Sequence, residues 1–140
     1  MVNNEKIRDK IQFIKENISK LEEISTVKPE QFTNNLLMSP ASTRLLQISI
    51  EAMIDIANHI VARKHLGTPK TYRESMEILS REGIIPKEKL QIYLKMIKFR
   101  NRAVHLYDDI SDEEILKIIK NNLHDFESFI GFIVSHFFTP

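Results

Sequence analysis

Within eight residues, Arg100-Asn101-Arg102-Ala103-Val104-His105-Leu106-Tyr107, the chain carries two guanidinium groups, an imidazole, a carboxamide and a phenol. These types suit one reaction well. Cutting RNA without a metal requires a group that moves the proton of the 2′-hydroxyl or of the leaving 5′-oxygen, and a cation that stabilises charge gathering on phosphorus. Imidazole, with a reference pKa of about 6.5, can accept and donate that proton, which makes His105 the candidate acid-base. Arg100 is a fixed cation whose fork of N–H donors matches phosphate oxygens.

Spacing limits how they can cooperate. On a helix, Asn101 and His105 lie four residues apart on one face, so the amide can orient the ring. Arg100 and Tyr107 share a neighbouring face. Arg100 and His105 are separated by about 140° around an ideal helix axis. They meet on one substrate only if the helix ends early, or if a second protomer supplies one of them across a two-fold axis. The run also admits a plain structural reading, as a cap and a surface contact at a helix end.

The charges around this run are lopsided. From Pro86 to Val104 the chain has six basic residues, Lys87, Lys89, Lys95, Lys98, Arg100 and Arg102, against the single acid Glu88; Asp108, Asp109, Asp112, Glu113 and Glu114 then reverse the sign. Complementing the helix dipole, with cations at one helix end and acids at the next start, accounts for part of the pattern. The total does not favour an anionic partner, since the net charge is only +1.

Other chemistries lack their residues. With no cysteine there are no disulfides, Cys-zinc sites or thiol nucleophiles. The three glycines, at 67, 83 and 131, form no phosphate-binding loop of the dinucleotide or Walker type. The five histidines show no His-Glu-x-x-His pair, and no Glu precedes a His by three residues as in di-iron bundles. Neither a metal nor a cofactor is expected.

The elements that must position the run are helical. Ile7, Ile11, Ile14, Ile18, Leu21 and Ile24 step by four and three, one face of a first helix. Pro29 and the stretch Asn34 to Pro40 interrupt it, and Ser39 with Pro40 at the first helical position opens the second. From Leu45 to Val61 eleven of seventeen positions are apolar, on more than one face, so this helix belongs at the centre. Its polar residues Glu51, Asp55 and His59, each four apart, form one ridge. That ridge can neutralise the arginines of the later long helix, with Asp55 supporting Arg100; the Asp55–His59 pair reads as a hydrogen-bonded ridge rather than a metal site. Leu66-Gly67 closes the helix. Thr71 and Glu74 make a capping box for a short helix through Tyr72, Met76 and Leu79 that stops at Gly83. Pro86 begins the next helix. Ser111 with Glu114 caps the last, carried by Ile115, Ile119, Leu123, Phe126, Ile130, Ile133 and Phe137. The expectation is one all-α domain over residues 1–140, an up-and-down bundle of four long helices and a short one. The opening residues show no signal-peptide pattern, and no uncharged stretch, including the 13 residues from Ser128 to Pro140, is long enough to span a membrane.

The run from Arg100 to Tyr107 resembles the Arg-x4-His-x-Tyr signature of HepT toxins, a branch of the HEPN superfamily of helical ribonucleases. The segment Leu46 to Ile60 is similar to that family's second helix and Thr71-Tyr72-Arg73-Glu74 to the start of its short helix, so the likeness covers roughly residues 44 to 130. It implies a cytoplasmic, metal-independent endoribonuclease that cuts tRNA or mRNA. It also implies a homodimer or higher even oligomer, with two copies of the motif facing one cleft. Arg100 and His105 would be the catalytic pair, and Asn101 matches the polar residue that commonly follows the family's Arg. The family's antitoxin is a nucleotidyltransferase that transfers AMP from ATP to the motif's tyrosine, here Tyr107. The added charge and bulk would fill the place of the RNA backbone. The alternative is a helical module that docks such a nucleotidyltransferase, or RNA, without turnover.

Overall fold

A computed structural model of the chain describes residues 2–105 and 110–138. The described residues form seven α-helices: α1 Asn4–Ser25, α2 Pro29–Asn34, α3 Met38–Arg63, α4 Tyr72–Arg81, α5 Lys87–His105, α6 Asp112–Asn121 and α7 His124–Phe137. No strand occurs among them, as expected of an all-α bundle.

Helix α3 is central because its apolar residues fall on more than one face. It packs on α1 along one side and on α4 and α5 along the others. Leu46, Met53, Ile56, Ala57, Ile60 and Val61 are all buried. By length and composition α3 could cross a membrane, yet 61% of its most apolar window lies inside the bundle, as in a core helix. On α1, Ile7, Ile11, Ile14, Ile18 and Leu21 form the buried stripe that the four-three spacing predicts. The helix opens on Asn3, whose side chain accepts a hydrogen bond from the Lys6 amide at 3.1 Å.

The helix ends show which local signals won. Pro29 does more than interrupt: it is the first residue of the short helix α2, which buries Phe32 completely. Helix α3 starts at Met38, one residue before the expected Ser39 cap. It stops at Arg63 rather than at Gly67, with His65 in the left-handed region at φ 54°. Two reversed backbone bonds close it there, His65 N to Ala62 O at 3.3 Å and Leu66 N to Val61 O at 3.0 Å. Gly83, at φ 75°, closes α4 in the same way, as its sequence position predicts. The single last helix expected after Ser111 is two helices, α6 and α7. Asn121 and Asn122, poor helix formers, sit at the break, and tightened turns from Asn122 O to Asp125 N and from Leu123 O to Phe126 N redirect the chain. Leu123 keeps the apolar rhythm across that break, so periodicity alone does not reveal it.

Candidate active site at the end of α5

The spacing of α5 buries Tyr93, Leu94, Ile97, Phe99 and Ala103 against the core, which leaves its basic residues along the remaining surface. Arg100 is half-buried between α5, α3 and α4. Its Nε donates to Glu51 Oε2 at 3.0 Å, its Nη1 donates to Asn101 Oδ1 at 3.2 Å, and its Cζ lies 5.3 Å from the centre of the Tyr72 ring. Gln47 Nε2 holds the same Glu51 oxygen at 3.0 Å. The guanidinium is thus fixed by a carboxylate, an amide and an aromatic face, with Nη2 left unpartnered among the described residues.

This corrects the expected role of Asp55. Glu51, and not Asp55, supports Arg100; Asp55 faces α1, where Lys10 Nζ contacts it at 3.0 Å, with the two side chains partly exposed. His59 goes elsewhere again. It is buried, and its Nε2 accepts from the backbone amide of Asn3 at 2.9 Å. Burial first, then the positive charges of Lys6 and Arg63, holds its pKa below the ordinary histidine value, so the neutral imidazole is favoured and acts as an acceptor at the start of α1. The ridge divides because residues four apart on an ideal helix turn 400°, a drift of about 40° per step. Over eight residues that drift distributes Glu51, Asp55 and His59 among different neighbours.

Arg102 marks where the charge reversal is structural. Its Nη1 and Nη2 grip Glu114 Oε2 and Oε1 at 2.7 and 2.9 Å, joining the last turn of α5 to the first turn of α6. Ser111 caps α6 by accepting from the Glu114 amide at 3.1 Å. The Glu114 carboxylate therefore serves Arg102 rather than closing a reciprocal capping box.

Helix α5 is unbroken through His105, where its described residues stop, and His105 is exposed. Early termination therefore does not bring Arg100 and His105 together: within one chain they project about 140° apart. Asn101, exposed and placed to orient His105 by its spacing, instead accepts from Arg100. Tyr107 lies outside the described residues. Among the described residues no group of three or more His, Asp or Glu side chains is arranged to hold a metal.

Sequence reasoning missed Tyr72. It reads as the first core residue of the short helix, whereas the residue is 42% exposed, with its ring beside Arg100. The signal was its position at the first turn of α4, directly after the Thr71 cap, where a side chain projects past the end of the helix.

Electrostatics fix a consequence for Glu51. Burial raises its pKa, but hydrogen bonds from Gln47 and Arg100 and the charges of Arg100 and Arg44 outweigh that and hold it below the usual carboxylate range. A value lower in the folded than in the unfolded state stabilises the fold above that range, and the contribution is lost as pH falls through the folded value. Between pH 6 and pH 3, wild-type protein is therefore expected to lose about 1 kcal/mol more stability than Glu51→Gln. Urea unfolding at the two pH values measures this; equal losses would show that the pair contributes nothing.

The chain is similar to known proteins along nearly its whole length. Residues 14–133 match the family described as ribonuclease HepT-like. The chain is 32% identical over 130 residues to the mRNA nuclease HepT of Shewanella oneidensis, covering 93% of this chain and 97% of that one. It is 25% identical over 133 residues to the tRNA nuclease HepT of Aphanizomenon flos-aquae, covering 95% and 90%. Its fold superposes with a TM-score of 0.87, at 32% identity and over 95% of this chain and 99% of the other, on a tri-AMPylated Shewanella oneidensis HEPN toxin in complex with MNT antitoxin. The match extends along nearly the whole bundle and includes the helix that carries Arg100 and His105: the chain belongs to the HepT-like ribonuclease family.

Proposed function

We propose that this protein is a metal-independent endoribonuclease toxin whose cleft is shared by two subunits, Arg100 of one working with His105 of its partner. The observation that carries the reading is the continuity of α5. It holds the two side chains of one chain on diverging faces, while each has the environment its role needs. Arg100 is clamped with a donor unpartnered among the described residues, and His105 is exposed at the last described position of the helix. A two-fold axis beside that position sets each guanidinium opposite the other chain's imidazole.

In this cleft His105 takes the proton of the 2′-hydroxyl as its oxygen bonds to phosphorus, and Arg100 stabilises the added negative charge. The bond from phosphorus to the 5′-oxygen breaks and the proton passes to that oxygen. The products are a 2′,3′-cyclic phosphate and a 5′-hydroxyl. The relatives named as mRNA and tRNA nucleases support RNA of either kind as substrate. The complex of an AMPylated toxin with MNT antitoxin supports silencing by a nucleotidyltransferase partner. There the Tyr107 oxygen attacks the α-phosphorus of ATP, pyrophosphate leaves, and the attached AMP occupies the RNA path with negative charge.

Purified protein incubated with tRNA or mRNA in excess EDTA is expected to cut at the same rate as without chelator. Loss of cutting on chelation would contradict the metal-free chemistry, and binding without cutting would favour a docking module. Protein coexpressed with a nucleotidyltransferase antitoxin should gain mass in whole AMP units, and Tyr107→Phe should remain unshifted.

A further inference from the structure

Beside Arg100 runs an open groove of about 750 Å³ between the end of α3, the loop entering α4 and the outer face of α5. Asn58, Lys70, Tyr72, Arg73 and Asn101 supply its polar and aromatic lining, and Ile97 lies at its base. The volume is in the range of sites that hold a nucleotide-sized ligand. We propose that this groove is a subsite for single-stranded RNA next to the scissile phosphate, in which one base stacks on Tyr72 and the flanking backbone lies against Lys70 and Arg73. The inference rests on the nuclease reading and extends it along the strand.

Four observations converge on this assignment. Tyr72 is exposed, and the guanidinium near its ring face belongs to Arg100 itself, so a base stacked here belongs to the same strand as the phosphate that Arg100 holds. An exposed ring on a protein surface stacks bases with little regard to sequence. Lys70 and Arg73 flank the ring, are exposed, and form no ion pair among the described residues, although acids compensate Arg100 and Arg102 nearby. Unpaired cations beside an aromatic face are what a polyanionic strand requires. Asn58 and Asn101 both have the amide oxygen engaged inside the protein, by Ser75 Oγ and Arg100 Nη1 respectively. Their amide nitrogens therefore remain as donors for acceptors on a base edge. Finally, Asn101 joins the groove to the Arg100 site, since it lines the one and bonds within the other.

The test uses a fluorescein-labelled 2′-O-methyl oligonucleotide, which lacks the attacking hydroxyl and stays intact, with binding read by anisotropy. Tyr72→Ala is expected to bind about tenfold more weakly and Tyr72→Phe as wild type, because the face and not the hydroxyl does the stacking. Lys70→Ala and Arg73→Ala should each lower the slope of log K against log salt by about 0.7. Single abasic residues walked along the oligonucleotide should reveal one position whose loss is not additive with Tyr72→Ala. Additive losses at every position would mean that Tyr72 acts only by steadying Arg100, and would overturn the subsite. So would wild-type binding by Tyr72→Ala, or unchanged salt slopes in both cation variants. Circular dichroism confirms that each variant is folded, and the two surface-cation variants decide the matter if Tyr72→Ala is not. The two readings fail separately. No cleavage of any RNA, with binding lost in the Tyr72 and cation variants, removes the nuclease reading and leaves the groove as a site that binds single-stranded RNA. Cleavage by Tyr72→Ala at wild-type KM removes the subsite and keeps the nuclease.

Discussion

His105→Ala is expected to lower the rate of RNA cleavage roughly 10²- to 10⁴-fold, the usual contribution of a positioned acid-base group, while thermal stability stays close to that of the wild type. The separation of the two effects follows from position. His105 is exposed, at the last described position of α5, and is not part of the buried core. Substituting an exposed side chain of that kind shifts stability by no more than about 0.5 kcal/mol. Initial rates on a labelled RNA, measured beside a melting curve, provide the check. A variant that melts normally and still cuts at full rate would assign the proton transfer to another group.

Arg100→Lys is expected to reduce kcat about 10²- to 10³-fold with a much smaller change in KM. Charge is conserved in this variant, so long-range attraction of RNA persists. What disappears is the fork. Arg100 uses Nε for Glu51 and Nη1 for Asn101, and its Nη2 has no partner among the described residues. A lysine ammonium is a single point that cannot serve those directions together, and it lacks the planar face that lies over Tyr72. Lysine also spares Glu51 the loss of its cation, which Arg100→Ala would impose on a half-buried carboxylate. An unchanged kcat in Arg100→Lys would reduce the role of Arg100 to charge alone.

The parts legible in the sequence were those governed by short-range rules. The isoleucine stripe of α1, the many-sided burial of α3, the Thr71 and Ser111 caps and the Gly83 stop all follow from spacing or from one residue's backbone preference. Helix α5 follows only in part: of the four-three step through Leu90, Leu94, Ile97, Asn101 and Val104, Leu94 and Ile97 are buried, while Tyr93, Phe99 and Ala103 make up the rest of the buried face. The parts that were not legible depend on which neighbour a face meets. Glu51, Asp55 and His59 share a ridge by count, but only the packing of α1, α4 and α5 around α3 assigns Glu51 to Arg100, Asp55 to Lys10 and His59 to Asn3. Tyr72 likewise looked like core, and only the meeting of α4 with α5 shows its ring against a guanidinium. The kink between α6 and α7 escaped because Leu123 continues the period that Asn122 breaks.

The claim on which the rest depends is that each scissile linkage draws its guanidinium and its imidazole from different chains. Mixing inactive Arg100→Ala and His105→Ala subunits under conditions that allow exchange tests it directly. Half of the dimers are then mixed, and each mixed dimer has one cleft with both residues intact, so activity should recover to about one quarter of the wild type. A mixture as inactive as either parent, with exchange demonstrated by mass spectrometry, would contradict the shared cleft.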